Sequence, residues 1–196
     1  MVELPTPEED FEYFVKSPIQ WLGKGQNLYR AATHLFERYK EATEATPTLD
    51  GVKLDDAIPF IVDQRFFEPA GLLAGFSIEV TIKAAIVAKF PERIKPGMKG
   101  SDWFGEAKGN GHDLKALAGA AGLDVVDEGL LEMLTEFSIW KGRYPSNLEG
   151  TPMYGMQTKI ENLAGTHWLG LIGRFERTYY GIRDQVNAVL ESRMAD

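Results

Sequence analysis

The sequence predicts an all-α protein, an up-and-down helical bundle of about five helices, in a single domain over residues 1–196 with residues 1–17 as an N-terminal arm. Three observations carry this. Several stretches repeat apolar residues at three- and four-residue steps, the period of a helix with one buried face. One stretch, FEPAGLLAGFSIEVTIKAAIVAKF, is apolar almost all the way round, as expected of a helix covered on every side. No pair of alternating apolar runs flanks a tight-turn signature, so no strand hairpin is expected.

The arm, MVELPTPEEDFEYF, is acidic and aromatic, and only partial order is expected of it. A first helix should open with Ser17 as N-cap and Pro18 as its first helical residue. It should run to about Glu44, weakened around Gly23 and Gly25. Leu28, Ala31, Ala32, Leu35, Phe36 and Tyr39 form its inward stripe. Residues 45–65 hold two prolines and a glycine and read as an irregular connection.

The second helix, about residues 67–90, should lie at the centre of the bundle or at a subunit interface. On a helical wheel Leu72, Leu73, Phe76, Ile78, Val80, Ile82, Ile86 and Val87 share one side. Ala74, Ser77, Thr81, Ala85 and Ala88 occupy the other, small enough for another backbone to come close. Glu79 and Lys83 fall in the middle of the large apolar side. A solvated ion pair belongs on the polar rim. Their position predicts a partly buried polar cluster that recruits groups from other helices, or else a pair at a helix end or groove.

Residues 91–111 are rich in glycine, proline and lysine and read as a long loop. A short third helix should start at His112–Asp113, with Asp113 favouring its N-terminus and Gly122 capping its end. The fourth should open on Asp124 or Asp127 and turn Leu130, Leu131, Leu134, Phe137 and Trp140 inward. It should stop at Lys141–Gly142, just before Arg143-Tyr144-Pro145. After a loop at 146–160, a last helix over about 161–192 places Trp168, Ile172, Phe175, Tyr179, Ile182, Val186 and Val189 on a four-three seam.

Composition narrows the function. With 21 Lys+Arg against 29 Asp+Glu, the formal charge of −8 excludes wholesale attraction to phosphate backbones, leaving room only for a local basic patch. The absence of cysteine excludes disulfides, thiolate catalysis and cysteine-zinc sites. The three histidines lie far apart with no HxxxH or HExxH pair, so no metal and no cofactor are expected. The acidic N-terminus lacks the features of a signal peptide, and no uncharged apolar run reaches about 18 residues. No membrane partner is therefore expected, and a cytoplasmic location is.

The candidate functional residues are few. His112 can act as acid, base or hydrogen-bond donor near neutrality, although a helix start also needs capping. His167 and Arg174 share a face with Thr178 that could bind phosphate or simply be solvated. His34, between Arg30 and Arg38, reads as a helix flank. The guanidinium of Arg143 suits two-point pairing with a carboxylate or phosphate, and Glu79 and Asp113 are its internal candidates. The glycines of KGNGHD could present backbone N–H groups to an anion, a weak signal on its own.

Three motifs in order resemble the HEPN superfamily of helical domains: Glu79-x3-Lys83, His112-Asp113-Leu114-x2-Leu117, and Arg143-Tyr144-Pro145. The architecture covers roughly residues 20–190. The resemblance implies a bundle that commonly dimerises, with helices facing across a cleft. Many catalytic members are metal-independent ribonucleases in which four to six residues separate an arginine from the histidine that follows it. This chain departs from that pattern. Arg30 and His34 are too close, and neither His112 nor His167 has an arginine at that spacing. Other branches serve as binding or dimerisation modules in toxin–antitoxin or stress systems.

Two functions follow as expectations. The first is a non-catalytic, homodimeric module binding a nucleotide, RNA or protein partner through a polar cluster of Glu79, Lys83, His112, Asp113, Arg143 and Tyr144. The second is a divergent ribonuclease with His112 or His167 as acid or base and Arg143 or Arg174 stabilising phosphate charge. Against both stands a buried network of Glu79, Lys83, Asp113 and Arg143 that only fixes helix register.

Overall fold

The computed structural model describes residues 6–44, 66–98, 102, 111–125, 127–138 and 169–195. Among these the chain forms α1 (Pro7–Asp10), α2 (Pro18–Glu44), α3 (Phe67–Lys89), α4 (Leu114–Ala121), α5 (Glu128–Glu136) and α6 (Leu169–Ala195), with no strand. The all-α bundle expected from the periodicity is what forms.

Residues 6–17 of the arm are held by local bonds. Thr6 and Glu9 make a reciprocal capping box. Thr6 N–H donates to the Glu9 carboxylate at 2.7 Å, and Glu9 N–H donates to the Thr6 hydroxyl at 3.3 Å. The first of these bonds holds the Glu9 carboxyl below its ordinary range. A π turn over Phe11–Val15 follows, and Trp21 Nε1–H donates to the Val15 carbonyl at 2.8 Å, tying the turn to α2. Helix α2 opens as expected, with the Ser17 carbonyl accepting from Gln20 and Trp21. It does not weaken at Gly23 and Gly25. Gly25 is there because α2 and α3 nearly touch: a Cβ would sit 2.3 Å from Thr81 Oγ1 and 3.2 Å from the Ser77 carbonyl.

Helix α3 is the axle of the bundle. Every residue from Ser77 to Ala88 is buried, while Leu72, Leu73 and Phe76 near its start are half-buried. Its cover is provided by α2, α4, α5 and α6 of the same chain, so it lies at the centre of the bundle. The small-residue side works as the wheel implies. The Ser77 and Thr81 hydroxyls donate to carbonyls of α3 itself, at 2.8 and 2.7 Å, so both are satisfied where α2 packs close. On another side, a Cβ on Gly75 would fall 2.2 Å from Ser138 Oγ and 2.8 Å from the Leu134 carbonyl. That brings α5 close enough for Phe137 to lie over Gly71. By length and composition alone α3 could cross a membrane, but it carries Glu79 and Lys83 midway along its length and sits inside the bundle.

The shorter helices are set by their ends. Asp113 caps α4 through the Ala116 N–H at 2.9 Å, and the Leu114 N–H reaches across to Thr135 Oγ1 at 3.1 Å, docking α4 on α5. Gly122 adopts φ 58°, the left-handed conformation that closes a helix cheaply only with glycine. Lys89 Nζ then donates to the Ala121 carbonyl at 2.5 Å. Asp127, rather than Asp124, caps α5, accepting from the Leu130 N–H at 3.0 Å. The Asp124 backbone is instead held at both ends by the Gln185 amide of α6, at 2.9 and 2.8 Å.

In α6, Phe175, Tyr179, Ile182 and Val186 are buried as the seam predicts, joined by Leu171, while Ile172 and Val189 are half-buried. Tyr29 of α2 stacks on Tyr179 with ring centroids 4.1 Å apart at 11°. Phe36 and Phe175, 5.9 Å apart, extend this aromatic column toward the Phe67 end of α3. The inward position expected for Trp140, the helix stop at Lys141–Gly142 and the start of the last helix before Leu169 lie outside the described residues.

Candidate functional site

Glu79 and Lys83 are buried, at 4% and 9% exposure, and they are paired: Lys83 Nζ donates to Glu79 Oε1. The carboxylate's second oxygen is also used. His112 Nδ1 lies 2.8 Å from Glu79 Oε2, and since a carboxylate accepts, the Nδ1–H is the donor. The expected cluster recruiting a group from elsewhere in the fold is therefore present, with His112 as the recruited residue. Burying two charges costs several kcal/mol per ion unless their bonding capacity is filled. Here the buried carboxylate is served on both oxygens, one cation within its own helix and one imidazole from beyond it.

Local structure explains why His112 arrives there. It is the second residue before α4, fixed by the Asp113 cap and by the docking of α4 on Thr135. Phe76, three residues before Glu79 and so on the same face of α3, lies with its ring 6.4 Å from the imidazole. The His112 side chain keeps 38% of its exposure. The cluster thus runs from a buried lysine through a buried carboxylate to an imidazole that reaches the surface.

Asp113 does not enter this cluster, because its carboxylate is committed to capping α4. Arg174 is also placed elsewhere. Its Nε and Nη2 each approach one oxygen of Asp127 at 2.6 Å, a two-point clasp with both side chains about one-fifth exposed. The guanidinium holds the Asp127 carboxyl below its ordinary range, against burial, which works the other way. Arg174 itself is raised by the same contact. It is a clamp between the start of α5 and α6, a role the sequence analysis missed. The one available hint was that a capping aspartate is a fixed carboxylate, ready for a cation from a packed helix.

Thr178 is buried rather than part of a solvated phosphate face, and His34 is exposed on α2 as expected. Arg143, Tyr144 and His167 lie outside the described residues, as do residues 108–110 of KGNGHD. Among the described residues, no three histidines or carboxylates gather as a metal would require.

An open groove of about 460 Å³ lies at the C-terminal end of α3, lined by Lys89, Ala188, Val189, Ser192 and Arg193. Its two cations are occupied as helix caps, Lys89 on the Ala121 carbonyl and Arg193 on the Ala88 carbonyl. The groove adds no second chemical centre. No protein-family profile, curated protein or solved structure matches this chain. The fold and site together define an all-α helical bundle with a buried, histidine-tipped charge cluster.

Proposed function

We propose that the chain is a non-catalytic HEPN-like module that dimerises and binds a nucleotide or RNA beside His112. The observation carrying this reading is the Glu79–Lys83–His112 cluster: its charges are bonded to one another, and the imidazole is its most exposed part. A buried network of this kind holds a surface residue in one orientation, which suits recognition. Dimerisation enters through the resemblance alone, because the cover of α3 comes from its own chain. A protein partner in place of RNA is the broader form of the same reading.

The test pairs binding with cleavage in metal-free buffer. Labelled single-stranded RNA, followed by anisotropy, and nucleotides, followed by thermal shift, are expected to bind the wild type without any RNA being cut. His112→Ala is expected to stay folded and lose roughly tenfold in affinity, about 1.4 kcal/mol. A wild type that binds neither probe, or a His112→Ala variant that binds as well, would sink the reading. Light scattering that finds a monodisperse monomer at high concentration would remove the dimer.

One observation favours the ribonuclease as a second reading. Glu79 orients the His112 imidazole as a carboxylate orients a general base. That chemistry also needs a cation at the phosphate, and Arg174 is clasped by Asp127 instead. RNA cleavage without metal, abolished by His112→Ala in a folded protein, would establish this reading over the first.

A further inference from the structure

The π turn over Phe11–Val15 presents two large side chains to solvent while being held in place. Tyr13 is 60% and Phe14 55% exposed, and their rings meet edge to face with centroids 4.8 Å apart. An unattached aromatic arm would collapse or fray. This one is anchored by the Thr6–Glu9 capping box before it, by the Lys16–Glu12 ion pair at 2.7 Å across it, and by Trp21 bonding to Val15 at its end. Four exposed acids, Glu8, Glu9, Asp10 and Glu12, crowd the same short segment.

We propose that the Tyr13–Phe14 pair is a docking surface for a basic, amphipathic segment of another protein. The aromatic pair supplies a compact apolar anchor of the kind that concentrates binding energy. The acids around it select the partner's charge and steer its approach. Those acids also decide against the other occupants. Nucleic acid and anionic lipid are repelled. A second copy meeting the first through a two-fold axis would set acid against acid.

The test uses the full chain and a fluorescein-labelled amphipathic peptide of lysine and leucine at physiological salt. A glutamate–leucine peptide and an oligolysine, both of equal length, serve as controls. The lysine–leucine peptide is expected to bind and the controls to bind far more weakly. Replacing both aromatics, Tyr13→Ser with Phe14→Ser, is expected to weaken binding roughly tenfold or more, as loss of an anchor does. Glu8→Lys with Asp10→Lys is expected to weaken it and to flatten its dependence on salt. All four side chains are exposed, so circular dichroism should show the fold unchanged. Absence of binding, equal binding of oligolysine, or unchanged binding by the serine variant would overturn the proposal. So would a wild-type dimer that Phe14→Ser dissolves, since the surface would then be taken by a second copy.

Discussion

Asp127 and Arg174 stand 47 residues apart in sequence and meet through two contacts of 2.6 Å, while the same aspartate caps α5. One carboxylate thus ends one helix and fastens it to another. Arg174→Ala is expected to cost about 1.5–3 kcal/mol, the range for hydrogen bonds to charged groups. Urea unfolding measures it, and RNA or nucleotide binding should not change beyond what the lost stability explains.

The same pair fixes a pH dependence. The folded Asp127 carboxyl is lowered, chiefly by Arg174. The unfolded value is about 3.9. A depressed carboxyl gives stability that is present above the unfolded value and lost as pH falls through the folded one. The stability gap between wild type and Asp127→Asn should therefore be flat at neutral pH and close only below about pH 4. Parallel unfolding curves from neutrality down to strong acid test this, and a gap that survives at the acid end would contradict it.

At the alkaline end the phenols of α2 and α6 take over. Burial raises Tyr179, and burial followed by the neighbouring Tyr180 hydroxyl raises its stacking partner Tyr29. Groups raised on folding contribute stability in full below their unfolded value, about 10 for tyrosine, and lose it as pH climbs. Ultraviolet titration of phenolate should show a late-ionising class that appears only as the fold is lost. If all seven tyrosines titrated together near the ordinary value, the packing of this column would be wrong.

The close approach of α3 and α5 separates two glycines by sign. Gly75→Ala is expected to destabilise by about 1–3 kcal/mol through overpacking, since its Cβ would collide with Ser138 Oγ and the Leu134 carbonyl. Adding Ser138→Ala should recover only part, because the backbone carbonyl remains. Gly23→Ala, on an exposed face of α2 with nothing within 4 Å, should instead stabilise by about 0.5–1 kcal/mol. Thermal unfolding of the three variants checks the order.

The buried pair on α3 allows a further distinction. Glu79→Leu alone removes the carboxylate that Lys83 and His112 share and is expected to cost about 3–5 kcal/mol. Glu79→Leu with Lys83→Met should recover most of that loss or exceed the wild type. A folded double variant that no longer binds RNA or nucleotide would assign the cluster to recognition, and one that binds normally would assign it to helix register alone.

Much of this was legible in the sequence because it was periodic or local. The wheel put α3 at the centre of the bundle or at a subunit interface, and the misfit of Glu79 and Lys83 on its apolar side pointed to a partly buried cluster as one of two arrangements. Caps at Ser17, Asp113 and Gly122 were readable because a cap needs only its own few residues. What escaped depended on distant pairing. Gly25 looks like a helix breaker until Thr81 is set against it, and Arg174 looks like a solvated flank until Asp127 is in place. His112 could be nominated from its chemistry, but its bond to Glu79 exists only because α4 docks on Thr135.

Helix α3 has one more consequence, which concerns the chain before it folds. As it leaves the ribosome, Phe67–Lys89 is a segment that membrane-insertion machinery would weigh as a candidate span. A lysine near the middle of such a segment adds about 2.5–3.5 kcal/mol to the cost of entering the bilayer. Glu79 and Lys83 sit near that middle, so the pair that links α3 to His112 in the finished protein also biases the unfinished one against insertion.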